Sequence, residues 1–182
     1  MRWIWIDRFE IFEPGRRAVA IKNVTLAEDH IHDHFPGFPV MPASLMIEGM
    51  AQTSGILVGA ARDFKEKVIL AKIGKASFQR LVRPGEQIVY DARISQVNEM
   101  GASISGKIRV RCTNAEGHPV ELPVGEVDMM FSHIDQNMKG MKFPEFNFVF
   151  NSEFMSLFET YRRHFDLRLD GPVQQVPAPE GP

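Results

Sequence analysis

The sequence predicts an α+β fold in which a long central helix is wrapped by an antiparallel β-sheet and followed by a C-terminal extension. Three observations predict it: a long apolar stretch, four β-rich runs after it, and turn segments of hairpin length between those runs. One buried helix followed by consecutive strands is an α+β order, which fits a sheet curled round the helix. At 182 residues, 44% of them hydrophobic, the chain has about one domain's length and enough apolar material for a sizeable core.

The first two elements are predicted to be strands. Residues 3–12 are rich in aromatic and β-branched side chains, and residues 17–25 alternate apolar with polar ones. Between them, Pro14 and Gly15 are typical of a turn. The order is therefore strand, turn, strand.

The central helix is predicted to follow an ordered loop. Residues 29–41 contain two prolines and a glycine between positions 36 and 39, which exclude a regular helix. Pro42 stands where proline is tolerated, in the first turn of a helix, and residues 43–64 contain no other proline. Because this stretch is apolar on nearly every face, the helix is expected to be buried.

The rest of the sheet is predicted from β-rich runs separated by turn residues. Such spacings are typical of hairpins. The runs cover residues 67–78, 87–97, 102–112 and 125–134, with turns at 83–86, 98–101 and 114–117.

Three segments are distinguished along the chain. Residues 1–137 form the main domain, and residues 138–171 form an extension that is partly helical, with apolar residues near helical spacing from 156 to 169. Residues 172–182 contain four prolines and are predicted to be disordered. A phenylalanine-rich, exposed stretch in the extension is expected to cap a binding site or bind another subunit.

Composition excludes several classes of protein. A net charge of −2 gives no overall basic field for nucleic acid. Cys112 is the single cysteine, so the chain forms no internal disulfide and no zinc–thiolate site, and a reducing cytoplasm is the expected setting. No signal segment or membrane-inserting stretch is recognised in the sequence.

The residues that carry chemistry lie between positions 34 and 52. His34 lies in a loop stiffened by proline and glycine, directly before the central helix, and Glu48 lies on the second turn of that helix. Burial of a carboxylate costs several kcal/mol unless it is partnered or protonated. A buried histidine and carboxyl pair indicates acid–base chemistry.

Residues 34–52, HFPGFPVMPASLMIEGMAQ, resemble the signature of the FabZ-type (3R)-hydroxyacyl-acyl carrier protein dehydratases, written roughly HFPGxPVMPGxLxxEAxAQ. The resemblance extends upstream to residues 13–25 and downstream to residues 78–80 and 82–85, so that it covers roughly residues 5–134. It implies a hotdog fold, in which the helix is the central one, working as a homodimer with two tunnels at the interface. A trimer of dimers is the larger assembly that the family often forms.

The resemblance also implies an activity and a partner. The chain would convert (3R)-hydroxyacyl-acyl carrier protein to the trans-2-enoyl form and water, in fatty acid biosynthesis, with no cofactor and no metal. His34 would remove the C2 proton as the base. Glu48, supplied from the other subunit's helix, would protonate or hold the departing hydroxyl.

Four further positions follow from the resemblance. The amide of Ala43, with one from Gly37 or the nearby loop, would bind the thioester carbonyl, as free amides at a helix N-terminus can. The family has glycine where this chain has Ala43, and the added methyl would narrow the tunnel or shift the carbonyl. The carbonyl of Val40 would fix the tautomer of the base. Gln52, one turn after the helix carboxylate, would orient it.

A second departure from the family precedes the base, where Asp33 replaces a glycine. Adjacent side chains need not face each other, so Asp33 is expected to point to solvent. His30 and His32 give the run HIHDH a superficial similarity to metallohydrolase ligand motifs, but it is one residue short, and no metal is predicted.

Two groups of residues are predicted to contact the substrate and its carrier. The tunnel would be lined by apolar side chains, with packing in the core as the alternative. A locally basic segment, with seven basic and two acidic residues between positions 62 and 83, suits an acidic carrier protein, with a solvated face as the alternative. The tunnel residues are Phe35, Met41, Leu45 and Phe78, and the docking residues are Lys72, Lys75, Arg80 and Arg83.

Two other functions remain open from the sequence. One is a hotdog acyl thioesterase, in which a helix carboxylate activates water at the carbonyl. The other is a non-catalytic hotdog module that binds acyl chains. The histidine of the HFPG loop argues against the thioesterase, and the intact pair of His34 and Glu48 argues against the binding module.

Overall fold

A computed structural model describes residues 4–134 and 144–164 of the chain. It confirms the predicted α+β class, with six strands and three helices in the described residues. In chain order they are β1 (Arg8–Glu13), β2 (Arg17–Asn23), α1 (Asp29–Asp33), α2 (Ala43–Ala60), β3 (Val68–Phe78), β4 (Gln87–Asn98), β5 (Gly101–Thr113), β6 (Pro119–His133) and α3 (Ser152–His164).

The strands form one antiparallel sheet in the order β1-β2-β4-β5-β6-β3. The last strand begins at Pro119, six residues before the predicted start. The structure places Pro123 opposite Arg109, where the register with β5 shifts, and an irregularity of this kind tolerates a proline.

Helix α2 begins where predicted, at Ala43. Pro42 is the N-cap, and the amides of Leu45 and Met46 donate to its carbonyl at 3.1 and 3.2 Å. The helix ends at Ala60, four residues before the predicted end. Beyond it Phe64 has a φ of 56°, and its ring packs among aromatic side chains of the C-terminal segment, so the chain turns instead of continuing the helix.

The prediction that α2 is buried on nearly every face is confirmed for its C-terminal half, where residues 53–59 are buried apart from half-buried Gly55, and is wrong for its first two turns in the single chain. Met46, Met50 and Leu57 are buried against the sheet. Ser44 and Glu48, one turn apart, are exposed. The first two turns of the helix are therefore open on the side with the carboxylate, and the rest of the helix is covered.

A short helix, α1, occupies the start of the predicted loop. The prolines that exclude a helix stand after it, so the five residues Asp29–Asp33 are free to form one turn. Ile31 is fully buried and fixes this turn on the core. The loop itself runs from His34 to Pro42.

The C-terminal segment packs on the core through its aromatic residues. Helix α3 begins at Ser152, earlier than predicted, and the side-chain oxygen of Asn151 accepts a hydrogen bond from the amide of Phe154 at 2.9 Å, as an N-cap does. Phe150, Phe154 and Phe158 are buried. The expectation of an exposed phenylalanine-rich stretch is therefore wrong for these three.

Two other phenylalanines of this stretch agree with the expectation of exposure. Phe146 and Phe148 are exposed. Residues 135–143 and 165–182, including the predicted disordered tail at 172–182, lie outside the described residues. Within the residues that are described, no helix has the length and hydropathy needed to cross a membrane.

Tyr90 on β4 carries a buried hydroxyl with an unusual environment. The side chain is fully buried against Gly49 of α2, where a methyl group would overlap its ring. Burial raises the pKa of this phenol. Its hydroxyl has no hydrogen-bond partner among the described residues.

We expect Tyr90→Phe to raise the free energy of unfolding by about 1 kcal/mol, because a buried, unsatisfied polar group costs about 1–3 kcal/mol. Urea denaturation of both proteins measures the change. A loss of stability would show that the hydroxyl has a partner, such as a buried water.

Candidate active site

His34 follows α1 directly and is half-buried. Its Nδ1 lies 3.1 Å from the carbonyl oxygen of Val40, and the Val40 amide donates to the His34 carbonyl at 2.9 Å. Because a carbonyl only accepts, Nδ1 must carry the proton in the neutral ring. The other nitrogen, Nε2, then has the lone pair that a general base needs.

The loop after His34 is closed by a pair of reciprocal backbone bonds. The Phe35 amide donates to the Phe38 carbonyl at 3.1 Å, and the Phe38 amide donates back at 2.9 Å. Gly37 lies at the tip of this turn with a φ of 76°, a conformation that favours glycine. Phe35 stacks on the His34 ring with centroids 4.3 Å apart. The histidine therefore stands on a rigid turn.

The loop leads straight into the N-terminus of α2. The Met41 amide donates to the Val82 carbonyl at 2.8 Å, which fixes the end of the loop next to Pro42. The first amides of a helix have no intrahelical acceptor, and they lie at the positive end of its dipole. Ala43 is the first helical residue and is exposed, so its amide can bind a developing oxyanion.

Glu48 is exposed in the single chain, and the expectation that it is buried is wrong there. Its Oε1 accepts a hydrogen bond from Gln52 Nε2 at 2.9 Å. Gln52 Oε1 in turn accepts from the backbone amide of Trp5 at 2.8 Å. Sequence reasoning missed Trp5, because a backbone amide leaves no signal in the side-chain pattern.

His34 and Glu48 stand on different elements, one before α2 and the other on its second turn. Within the described part of the chain, no hydrogen bond or ion pair joins them. The exposure of Glu48 leaves its carboxylate accessible from outside the chain.

The four predicted tunnel residues have different environments. Met41 is buried, Leu45 and Phe78 are half-buried against the core, and Phe35 is exposed. In the single chain, Met41 therefore packs in the core, which is the alternative to a place in the tunnel wall.

The four predicted docking residues do not form a continuous patch of unpaired cations. Arg80 pairs with Glu86 at 2.6 Å and Lys75 with Glu126 at 2.7 Å. These pairings were not predicted, because both carboxylates lie outside the basic segment in sequence. Lys72 and Arg83 are exposed. The Arg83 guanidinium lies 4.6 Å from the ring centroid of Phe38, and it is therefore next to the loop that bears His34.

The other histidines of the HIHDH run have local partners. His30 packs its ring against the edge of Trp5 with centroids 5.0 Å apart, and burial lowers its pKa. His32 Nε2 contacts the Leu26 carbonyl. Asp33 is exposed, as predicted. No group of three or more His, Cys, Asp or Glu side chains in the described ranges could hold a metal ion.

Comparison with known structures shows the hotdog fold. A hexameric hotdog-fold thioesterase of Campylobacter jejuni is 15% identical, with a TM-score of 0.52 over 69% of this chain and 88% of that one. An acyl-CoA hydrolase from Staphylococcus aureus is 14% identical, with a TM-score of 0.51 over 68% of each chain. At these identities the likeness is one of fold alone.

Comparison of sequences is more specific. A "3-hydroxyacyl-[acyl-carrier-protein] dehydratase FabZ" from Caldanaerobacter subterraneus is 41% identical over 96 residues, 52% of this chain and 68% of the relative. One from Listeria monocytogenes is 38% identical over 108 residues, 59% of this chain and 74% of the relative. The family model of the FabA-like domain matches residues 3–116. The chain therefore belongs to the FabA-like domain family, with FabZ dehydratases among its relatives.

Proposed function

We propose that this chain is a hydro-lyase that dehydrates a (3R)-3-hydroxyacyl thioester on acyl carrier protein to the trans-2-enoyl thioester, in fatty acid biosynthesis. The relatives named above carry that activity in their names. One observation of the site carries the proposal: the Val40 carbonyl lies within hydrogen-bond distance of Nδ1 of His34, so that in the neutral ring Nδ1 carries the proton and Nε2 the lone pair. A neutral imidazole on a rigid loop can take a proton from carbon.

In the first half of the proposed reaction, Nε2 of His34 removes a proton from C2 of the substrate. The negative charge that develops passes to the thioester oxygen, and donors aimed at this oxygen lower the barrier. The Ala43 amide is suited to that role at the positive end of α2, with an amide of the loop at or near Gly37 as its partner. These residues stabilise the enolate-like state.

In the second half, the bond between C3 and the hydroxyl oxygen breaks as the double bond between C2 and C3 forms. Glu48 gives the leaving oxygen a proton, so that it departs as water. Gln52 donates to Oε1 of the carboxylate, which keeps the other oxygen available for the substrate hydroxyl. His34 and Glu48 carry the two proton transfers and backbone amides stabilise the developing charge, so the proposal includes no cofactor or metal.

We propose that the active form is at least a homodimer, in which Glu48 of one copy acts with His34 of the other. Two surfaces support this. The open side of α2 carries Glu48, and the edge strand β3 has eight consecutive exposed residues, 70–77. An exposed sheet edge of this length is a template for pairing with another chain. A trimer of dimers is the larger assembly that we propose to test by light scattering.

The carrier protein is the proposed macromolecular partner, with Arg83 and Lys72 as docking residues. With one cysteine, half-buried Cys112, the chain also suits the reducing cytoplasm that we propose as its location. Of the two, Arg83 is the stronger candidate for docking, because its guanidinium packs on the ring of Phe38 in the loop that bears His34.

We expect Arg83→Glu to raise KM for the carrier-protein substrate roughly threefold or more at low salt, because charge reversal repels an acidic partner. KM for a small-molecule thioester should be unchanged. The control is Arg62→Glu, the same charge change at an exposed position beyond the other end of the 18-residue helix α2. Equal KM increases from both variants would contradict docking at Arg83.

The reaction class is tested with a synthetic (3R)-3-hydroxyacyl thioester, in short, medium and long chain lengths. Absorbance follows the enoyl thioester, and a thiol reagent follows hydrolysis in parallel. The proposed function predicts enoyl product without free thiol. Thiol release would indicate a thioesterase, and tight acyl binding with neither product would indicate a binding module.

A further inference from the structure

We propose that Tyr161 of α3 is a positioning residue for the Glu48 carboxylate and acts through Trp5 and Gln52. The inference rests on the proposed function, because it takes Glu48 as the group that meets the substrate hydroxyl. Tyr161 lies outside residues 3–116, the part that matches the family model. The C-terminal segment would therefore add a support to the site that the matched region does not contain.

The first step concerns the amide of Gln52. A backbone N–H can only donate, so the hydrogen bond from the Trp5 amide requires the side-chain oxygen of Gln52 to face Trp5. The side-chain nitrogen must then face Glu48, where it donates to Oε1. Trp5 thus selects one of the two orientations of the Gln52 amide, and this orientation is the one that supports the carboxylate.

The second step concerns what fixes Trp5. Residues 4–7 precede β1, so the strand ladder does not hold most of this segment. The peptide group between Ile6 and Asp7 is held at both ends. Tyr161 donates its hydroxyl to the Ile6 carbonyl at 3.2 Å, and the Asp7 amide donates to the Ile21 carbonyl at 2.7 Å. Tyr161 therefore anchors the backbone next to the amide that orients Gln52.

The third step concerns the rigidity of the anchor. The Tyr161 ring packs edge-on against Phe9 of β1, with centroids 6.5 Å apart, and Phe158 packs against Phe12 at 5.6 Å. Burial raises the pKa of Tyr161 further above neutral pH, and the hydroxyl is a donor there with or without this shift. A helix packed by aromatic contacts can hold a hydroxyl in one place.

A double-mutant cycle tests the proposal. We expect Tyr161→Phe to lower kcat roughly 3- to 10-fold with little change in KM. An effect of this size corresponds to the loss of one hydrogen bond among those that lead from Tyr161 to Glu48. In a Gln52→Ala background, the same substitution should change kcat less than about twofold, because the side chain that links Trp5 to Glu48 is already absent. Equal effects in both backgrounds, or a wild-type kcat for Tyr161→Phe, would overturn the proposal.

Two control variants separate positioning from stability. Tyr90→Phe also removes a buried tyrosine hydroxyl, but one with no described acceptor, and should leave kcat unchanged. Phe154→Leu loosens the packing of α3 while it keeps the Tyr161 hydroxyl. It should lower the unfolding midpoint more than Tyr161→Phe does and lower kcat less. A kcat that follows the midpoint across these variants would assign Tyr161 a structural role only.

Hydrogen exchange tests the anchoring role of Tyr161 without a measurement of activity, so it separates this inference from the proposed function. The Trp5 amide is bonded to Gln52, so its exchange is slow if the segment is anchored. We expect Tyr161→Phe to accelerate exchange of this amide, measured by NMR, whether or not the wild-type protein dehydrates the substrate. An unchanged exchange rate would overturn the anchoring role, and an inactive wild type with accelerated exchange would overturn the proposed function alone.

Discussion

Replacement of His34 with alanine is expected to lower kcat by about 10²–10⁴-fold, because the only proposed base for the C2 proton is lost. The loop should keep its shape, since the Val40 amide bonds to the backbone carbonyl of residue 34 and not to the imidazole. Glu48→Gln should lower kcat over a similar range, because an amide cannot protonate the leaving hydroxyl. Enoyl formation from the hydroxyacyl thioester measures both.

The matched control is His32→Ala, two residues upstream on α1. His32 is exposed and its ring contacts a backbone carbonyl, so its removal should leave kcat within about twofold. A large loss at His32 with an active His34→Ala variant would contradict the assignment of the base.

The same two variants test whether the site is shared between subunits. In a mixed dimer of His34→Ala with Glu48→Gln, one site keeps both groups if Glu48 acts on the partner's histidine. Co-expression with random pairing should then recover about a quarter of wild-type activity, because half the dimers are mixed and half their sites are intact. If both groups come from one chain, the mixture stays inactive.

Phe154→Ala is expected to lower the free energy of unfolding by about 3–5 kcal/mol, the range for removing a buried phenylalanine. Phe154 is 3% exposed and packs against Phe64 and Phe150, so its loss leaves a cavity between these aromatic rings. Urea denaturation measures the change. The control is Phe146→Ala, at a ring that is 69% exposed, with an expected change below about 0.5 kcal/mol.

Similar stabilities for both phenylalanine variants would mean that α3 does not pack on Phe64 and the core in solution. Deletion of residues 138–182 should then also be tolerated. If Phe154→Ala is strongly destabilising, that deletion should give a protein that unfolds more readily or does not accumulate, because it exposes the same apolar surface.

Much of the fold could be predicted from local signals. Pro42 identifies the start of α2, and hairpin turns separate strands whose side chains favour a sheet. The errors arise where contacts between residues far apart in the sequence determine where an element begins or ends. Helix α2 stops at Ala60 because Phe64 packs on the C-terminal aromatics, and no local pattern encodes that contact. Strand β6 contains Pro123 because β5 shifts its register there.

The side chains of the candidate site could be predicted from the sequence. The groups that hold those side chains in place could not. The spacing of His34, Val40 and Gln52 is carried by one motif, and the structure gives each the neighbour that the motif implies. The Trp5 amide bonds to a residue 47 positions away, and the Tyr161 hydroxyl bonds to one 155 positions away. Periodicity in the sequence cannot reveal contacts of this kind. The exposure of Glu48 depends on how far the sheet wraps α2.

The contacts between the two ends of the chain also govern when folding can finish. Phe12 meets Phe158, and Ile6 meets Tyr161, so native contacts span nearly the whole described sequence. Contacts between such distant residues form slowly, because a long loop must close first. During synthesis the residues at the end of α2 therefore lack their aromatic contacts until residues 150–158 have emerged, and the domain stays incomplete until Tyr161 has been made.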